Sequence, residues 1–194
     1  MSIRQLRGIR ELYFSHQDLS DLFGISSESA MVTCSRYVRS GDLVRIKRNY
    51  YMLSERWERR AVEETFRLAN ILQVPSYISL TTALIYYECT TQIQQDFVES
   101  IAMKRTREFQ VREAVFSFTK LKKEYYAGFV KKRGFFIATP EKAFIDAAYL
   151  ETMGRYRLDS GSMDFSKFDK KKMREILAGY NEQVRHRVED LCGT

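Results

Sequence analysis

Cationic and hydroxyl side chains are concentrated in a short stretch near the start of the 194-residue chain. Between Arg36 and Arg48 there are five Lys or Arg residues against one acid, Asp42. Guanidinium and ammonium groups bind phosphate oxygens, and arginine also donates to the acceptor edge of guanine. Small hydroxyl groups allow close approach to bases and donate to phosphates. The side chains that we predict to contact DNA are Ser26, Ser27, Ser29, Arg36, Arg39, Arg45, Lys47, Arg48 and Asn49.

The pattern around the first of these residues predicts two short helices separated by a tight turn. Residues 18–23 have apolar side chains at helical spacing. Gly24 can end this helix because glycine adopts positive φ readily. Ser26 is a suitable N-cap for a second helix that extends to about Arg39. The two helices therefore form a predicted helix-turn-helix.

A basic hairpin is predicted directly after the second helix. Apolar and cationic residues alternate over residues 43–47, and residues 50–53 return as a partner strand across Arg48 and Asn49. Two helices followed by such a hairpin indicate a winged helix-turn-helix, whose second helix enters the major groove of DNA. Because the same shape also serves for protein docking, an interaction module that contacts a partner without binding DNA is the alternative.

A second group of reactive side chains, Glu141, Lys142 and Asp146, raises the possibility of a metal-dependent nuclease. Such a site needs two acids and a lysine around one metal, but adjacent side chains on a helix diverge by about 100°. We interpret Glu141 as a first-turn acid, and Lys142 with Asp146 as an exposed or bridging i, i+4 pair. The sequence also lacks a glycine-rich phosphate loop, a nucleophile elbow and a His/Cys cluster. We therefore predict no enzymatic activity, no cofactor and no metal site.

The formal net charge of +7 is unevenly distributed. Residues 101–133 contain ten Lys and Arg against three acids, whereas residues 1–53 contain eight against five. This block is either one basic face that binds nucleic acid or a set of solvated loop tips that protect strand edges. Nearby Phe109, Tyr125 and Tyr126 could stack on bases, although aromatic residues at strand positions more often pack in a core. The members proposed for a second basic surface are Lys104, Arg105, Arg107, Lys131, Lys132 and Arg133.

Other sequence features indicate a cytoplasmic protein without a membrane segment. No apolar run approaches the roughly 20 residues that span a bilayer. Arginines at positions 4, 7 and 10 interrupt any N-terminal signal sequence. The three cysteines are scattered, match no metal spacing and indicate no disulfide framework.

The composition predicts an α+β protein with two domains. A winged helix-turn-helix over residues 1–54 is followed by a connecting helix over 55–74. A mixed α+β domain with a small sheet packed by helices then covers 75–194. The other predicted helices span residues 2–12, 55–73, 80–87 (with Ser79 as its N-cap), 140–150 and 169–191. The predicted strands of the second domain span residues 97–103, 109–111, 115–118, 127–130 and 135–138.

Four separated phrases of the sequence resemble the AbiEi antitoxins of type IV toxin–antitoxin systems, also described as AbiEi-like transcriptional regulators. The phrases keep the order of that family and lie within residues 14–155. They are SGDLVRIKRNYYML, PSYISLTTALIYYE, KRTREFQV and FFIATPEKAFIDAAYL.

The resemblance implies an N-terminal domain that binds an operator and represses its own operon. Many regulators of this shape bind inverted repeats as pairs, so we expect an operator of that kind. It implies a C-terminal domain that counteracts a nucleotidyltransferase-like toxin, without a stable complex being required. The recognition helix falls on residues 26–39 and the wing on residues 45–49. Two departures are Asn49, where the family usually has glycine, and Glu88-Cys89, where a glycine often follows the tyrosine pair. The family's signature positions in the second domain fall on Tyr77, Ser79, Ala83, Lys104, Arg105, Thr106, Pro140, Glu141, Lys142 and Asp146.

Overall fold

The computed structural model describes residues 3–192, and side chains from residue 5 onwards. The fold is α+β, and the chain divides into two compact units between Leu68 and Ala69, inside a helix. The first unit contains a three-stranded antiparallel sheet in the order β1-β3-β2. The elements up to this boundary are α1 (Ile3–Leu6), β1 (Phe14–Ser15), α2 (His16–Phe23), α3 (Ser27–Arg39), β2 (Leu43–Lys47), β3 (Tyr50–Leu53), α4 (Ser54–Glu58) and α5 (Val62–Leu72).

Local signals define the ends of α2 and α3. Ser15 and Asp18 form a reciprocal capping box at the start of α2. Gly24 ends α2 with a φ of 61°, a left-handed conformation that glycine adopts without a steric penalty. Ser26 caps α3, since its Oγ accepts the N–H of Ser29 at 3.2 Å. The two predicted helices are therefore present at these positions.

Two helices predicted around this region are shorter than expected. The first ends at Leu6 rather than residue 12, and beyond it the carbonyls of Arg10 and Glu11 accept hydrogen bonds from the Arg56 guanidinium. The predicted connecting helix over 55–74 is interrupted between α4 and α5. There the Glu64 carboxylate accepts the N–H of Ala61 and so caps the start of α5.

The second unit contains a six-stranded mixed sheet in the order β6-β7-β5-β4-β9-β8. Strand β4, for which no strand was predicted, pairs with β5 in antiparallel fashion and with β9 in parallel fashion. The helices and strands of the second unit beyond α5 are β4 (Ser76–Ile78), α6 (Leu80–Tyr86), β5 (Phe97–Ala102), β6 (Arg107–Val111), β7 (Ala114–Lys120), β8 (Phe129–Lys132), β9 (Phe135–Ala138), α7 (Pro140–Thr152), α8 (Lys170–Leu177) and α9 (Glu182–Cys192).

Helix α7 lies in the core of the second unit. Thr139 caps it by accepting the N–H of Lys142, and Pro140 occupies its first turn, as predicted. All ten residues from Glu141 to Leu150 are buried. A helix that is buried on every side must satisfy its polar side chains internally.

The predicted final helix over residues 169–191 is two helices. Helix α8 ends at Leu177, and α9 begins at Glu182. Between them Tyr180 is turned into the core and is only 4% exposed. The connection is held by Arg185, whose Nε donates to the Tyr180 carbonyl, and by Asn181, whose Oδ1 accepts the N–H of Val184. The Asn181 side chain therefore caps a new helix start, and the predicted single helix is divided there.

Candidate nucleic-acid interface

Helix α3 presents a polar, cationic surface to solvent. Arg36 and Arg39 are exposed in its last turn, and Ser29 is exposed in its first. The Ser26 and Ser29 hydroxyls bond to each other at 3.0 Å, and Ser27 is half-buried. The Arg36 guanidinium lies 5.4 Å from the ring centroid of Tyr37. The Arg36 and Arg39 side chains are thus exposed to solvent at the C-terminal end of the helix. At the N-terminal end, the Ser26 hydroxyl is engaged in capping.

The β2–β3 hairpin carries the remaining cations of this group. Arg45 and Arg48 are exposed, and Asn49 has a φ of 66°, which asparagine tolerates better than most residues. The Lys47 ammonium lies 4.7 Å from the ring centroid of Tyr50, and partial burial lowers the pKa of Lys47. The register between the strands shifts between Arg45 and Lys47, which changes the direction of the side chains near the turn.

A shared core holds α3 and the hairpin together. Cys34 and Tyr37 of α3 pack in one cluster with Leu43 and Tyr51 of the hairpin. Burial raises the pKa of the Cys34 thiol to about 11, which makes it a packing residue rather than a reactive one. The Asp42 N–H donates to the Tyr37 carbonyl at 2.9 Å, so the helix end is bonded to the start of the hairpin. The cations of both elements are therefore presented by one packed body.

The second predicted basic surface is divided into two groups. Arg107 lies on β6 at one edge of the six-stranded sheet, and Arg105 and Lys104 lie two and three residues before it. Lys131 and Lys132 lie on β8 at the opposite edge. Five inter-strand spacings of about 4.8 Å separate these edges by roughly 24 Å. The six cations, with Arg133 after β8, therefore do not form a single cluster.

Several side chains of these two groups already have aromatic partners. The Arg107 guanidinium lies 4.5 Å from the Phe109 centroid, and the Lys132 ammonium lies 4.8 Å from that of Tyr86. The neighbouring Tyr125 ring stacks on Tyr180 at 4.2 Å. Of the two roles considered for Tyr125, base stacking and packing in the core, this contact supports packing.

Asp146 is the centre of a buried polar network in the second unit. Its Oδ1 accepts from the Lys142 ammonium, and its Oδ2 accepts from the Tyr77 hydroxyl at 3.0 Å and the Ser79 hydroxyl at 2.8 Å. Lys142 also donates to the Tyr180 hydroxyl at 2.8 Å. Burial raises the pKa of Asp146, and the neighbouring ammonium and hydroxyl groups oppose that rise. Burial likewise raises the pKa of Tyr77.

The predicted i, i+4 pair of Lys142 and Asp146 is confirmed, but the prediction that it is exposed is wrong. Lys142 and Asp146 are 1% and 0% exposed, so the pair is not on the surface. Ser79 occupies the N-cap position of α6, but its hydroxyl donates to Asp146 and accepts no N–H of the helix. Glu141 is also buried, and its Oε1 accepts the N–H of Asp169. Glu141 and Asp146 thus bind different elements and do not converge on one point.

Glu99 on β5 is a second buried carboxylate that the sequence analysis missed. Its Oε2 accepts from the Gln94 amide at 3.0 Å and the Tyr156 hydroxyl at 3.1 Å. Burial raises the pKa of Glu99 above its ordinary value, although both hydrogen bonds oppose this effect. Tyr180, in the other network, was missed as a polar partner as well. Neither residue had a helical or strand-spaced partner in the sequence that could have indicated its role.

The raised pKa of Glu99 predicts a pH-dependent stability. The stabilisation that its protonated form provides is fully present below about pH 4.5 and is lost as the pH rises through the native pKa. Glu99→Gln removes this titration, so the wild-type free energy of unfolding should fall relative to the variant as the pH rises. The difference should change by about 1.4 kcal/mol per pH unit between the two pKa values. Urea unfolding from pH 4.5 to 7.5 measures it, and a constant difference would contradict the prediction.

Neither a metal cluster nor a spanning helix is found in the part of the chain that the structure describes. Among residues 3–192, no group of three or more His, Cys, Asp or Glu is arranged to hold a metal ion. Within the same residues, no helix has the length and apolar character needed to cross a bilayer.

The comparisons with known proteins establish the fold and go no further. No protein-family model matches the chain, and the search of curated proteins found no match. The chain is similar in structure to the RV2827C protein from Mycobacterium tuberculosis, with a TM-score of 0.67 and 11% sequence identity. The similarity covers 98% of this chain and 74% of the other. At this identity the likeness describes a shared α+β architecture.

Proposed function

We propose that the first unit is a winged helix-turn-helix that binds double-stranded DNA. Helix α3 would lie in the major groove as the recognition helix, and the β2–β3 hairpin would contact the adjacent backbone. One observation carries the proposal. The exposed cations of α3 and of the hairpin belong to elements that share one packed core. Arg36, Arg39, Arg45, Lys47 and Arg48 would supply phosphate contacts, and Arg36 is long enough to reach a guanine edge.

We further propose that the protein is a cytoplasmic, non-enzymatic repressor of its own operon and an antitoxin. This part rests on the resemblance to the AbiEi antitoxins, which implies a nucleotidyltransferase-like toxin as the functional partner. The antitoxin activity would belong to the second unit. Co-expression with a nucleotidyltransferase-like toxin encoded beside this gene tests it: growth should recover when the full chain is present, and continued arrest would contradict the proposal.

Binding to DNA should weaken steeply with salt concentration. Each phosphate contact releases counterions and adds about −0.9 to the slope of log affinity against log salt. Five such contacts would give a slope of roughly −4.5. Fluorescence anisotropy of the full chain on duplex DNA, from 50 to 300 mM salt, measures this slope. A nearly flat response would contradict DNA binding through these cations.

The second candidate is a module that neutralises a partner protein by direct contact, without DNA binding. Two exposed apolar side chains of the β8–β9 hairpin favour it: Val130 is 43% exposed and Phe136 is 41% exposed. Because β8 is an edge strand, it could also accept a strand from a partner. Co-purification with the toxin, lost on Phe136→Ser, would support this candidate. Elution of the toxin apart from the full chain would contradict it.

A further inference from the structure

Val32 lies in the middle of the exposed face of α3 and is 70% exposed. The side chains one turn before and after it, Glu28, Ser35 and Arg36, are exposed and polar. A β-branched residue is a weaker helix former than Ala, Lys or Glu, which usually occupy solvent-facing helix positions. Neither packing in the core nor helix propensity therefore accounts for a valine at this position.

The groups around Val32 divide this face by charge. Glu28 lies one turn towards the N-terminus, and its carboxylate has no hydrogen-bond or ion-pair partner among residues 5–192, whose side chains the structure describes. Arg36 and Arg39 lie towards the C-terminus. An acid and an apolar group cannot bind phosphate, whereas the two arginines can. When α3 lies on a duplex, the arginines would be placed at the backbone, and Glu28 and Val32 would face base edges.

We propose that Val32 is a specificity-determining residue that contacts the C5-methyl group of a thymine in the major groove. The inference rests on the proposed DNA binding and deepens it. Of the four bases, thymine alone presents an apolar group at its major-groove edge, so it is the base that a side chain without donors or acceptors can select. Met31, the neighbouring residue, is 40% exposed and would extend the apolar contact.

The test removes one methyl group from the thymine and the two γ-methyl groups from Val32. Duplexes of about two helical turns, enriched from a random pool by binding to the full-length protein, are resynthesised with each thymine replaced in turn by deoxyuridine. At one position of the enriched site, this change should weaken wild-type binding about 4-fold, the value of one buried methylene-sized group. With Val32→Ala, the same replacement should cause a clearly smaller loss, because the two methyl groups that reach the thymine are absent.

Val62→Ala is the matched control, because Val62 is also a solvent-exposed valine (62%) on a helix but lies on α5. It should retain the full sensitivity to deoxyuridine. The inference is overturned if no thymine in the enriched site is sensitive, or if Val32→Ala keeps the sensitivity. Either outcome leaves DNA binding intact when affinity remains salt-dependent. Failure to enrich any duplex, together with no measurable binding, would instead overturn the proposed function.

Discussion

Replacing Asp146 with alanine is expected to lower the free energy of unfolding by about 3–5 kcal/mol, the cost of leaving one partner of a buried ion pair alone. The Lys142 ammonium would lose its carboxylate partner in a site that is only 1% exposed. The Tyr77 and Ser79 hydroxyls would lose their acceptor as well. Urea unfolding followed by far-ultraviolet circular dichroism measures the change.

The size of this effect depends on burial, which two further variants test. Glu124→Ala removes a carboxylate 3.9 Å from Lys122 in a pair that is more than 60% exposed on both sides, and should cost less than about 1 kcal/mol. Lys142→Met combined with Asp146→Ala removes the unpaired charge and should recover part of the lost stability. The interpretation is wrong if Asp146→Ala is no more destabilising than Glu124→Ala.

Replacing Arg45, Lys47 and Arg48 together with alanine is expected to reduce DNA affinity roughly 500-fold at 0.1 M salt. A slope of −0.9 per phosphate corresponds to about 8-fold per contact between 1 M and 0.1 M salt, and three contacts multiply. Since phosphate contacts carry no sequence information, all duplexes should lose affinity alike. The salt slope should also become less steep by roughly 2.7. Anisotropy titrations of the full chain on several duplexes measure both quantities.

A second triple variant separates the position of these cations from the net charge. Lys170, Lys171 and Lys172 at the start of α8 carry the same charge, and their replacement with alanine should leave DNA affinity almost unchanged. Equal losses for the two triple variants would indicate a general charge effect and contradict the role of the hairpin. The hairpin variant should still rescue growth in the toxin assay, because the proposed antitoxin activity belongs to the second unit.

The two basic groups of the second unit are close along the chain but far apart in the structure. Residues 101–133 are the most cationic block of the sequence, and their proximity along the chain suggested a single face. The strand order β6-β7-β5-β4-β9-β8 places the two ends of that block at opposite edges of the sheet. Any nucleic acid that contacted both groups would have to span the sheet.

Local chemistry in the sequence was enough to predict α2, α3, the β2–β3 strands and the start of α7. Their caps, Ser26 and Thr139, and the glycine at position 24 act on neighbours within a few residues. The tertiary structure alone decided the burial of Lys142 with Asp146, whereas the breaks before α5 and after Tyr180 coincide with local hydrogen bonds that we did not predict. An i, i+4 spacing is the same for an exposed pair and a buried one. What differs is which distant residues surround the pair, here Tyr77 and Tyr180, and that depends on contacts that no local pattern specifies.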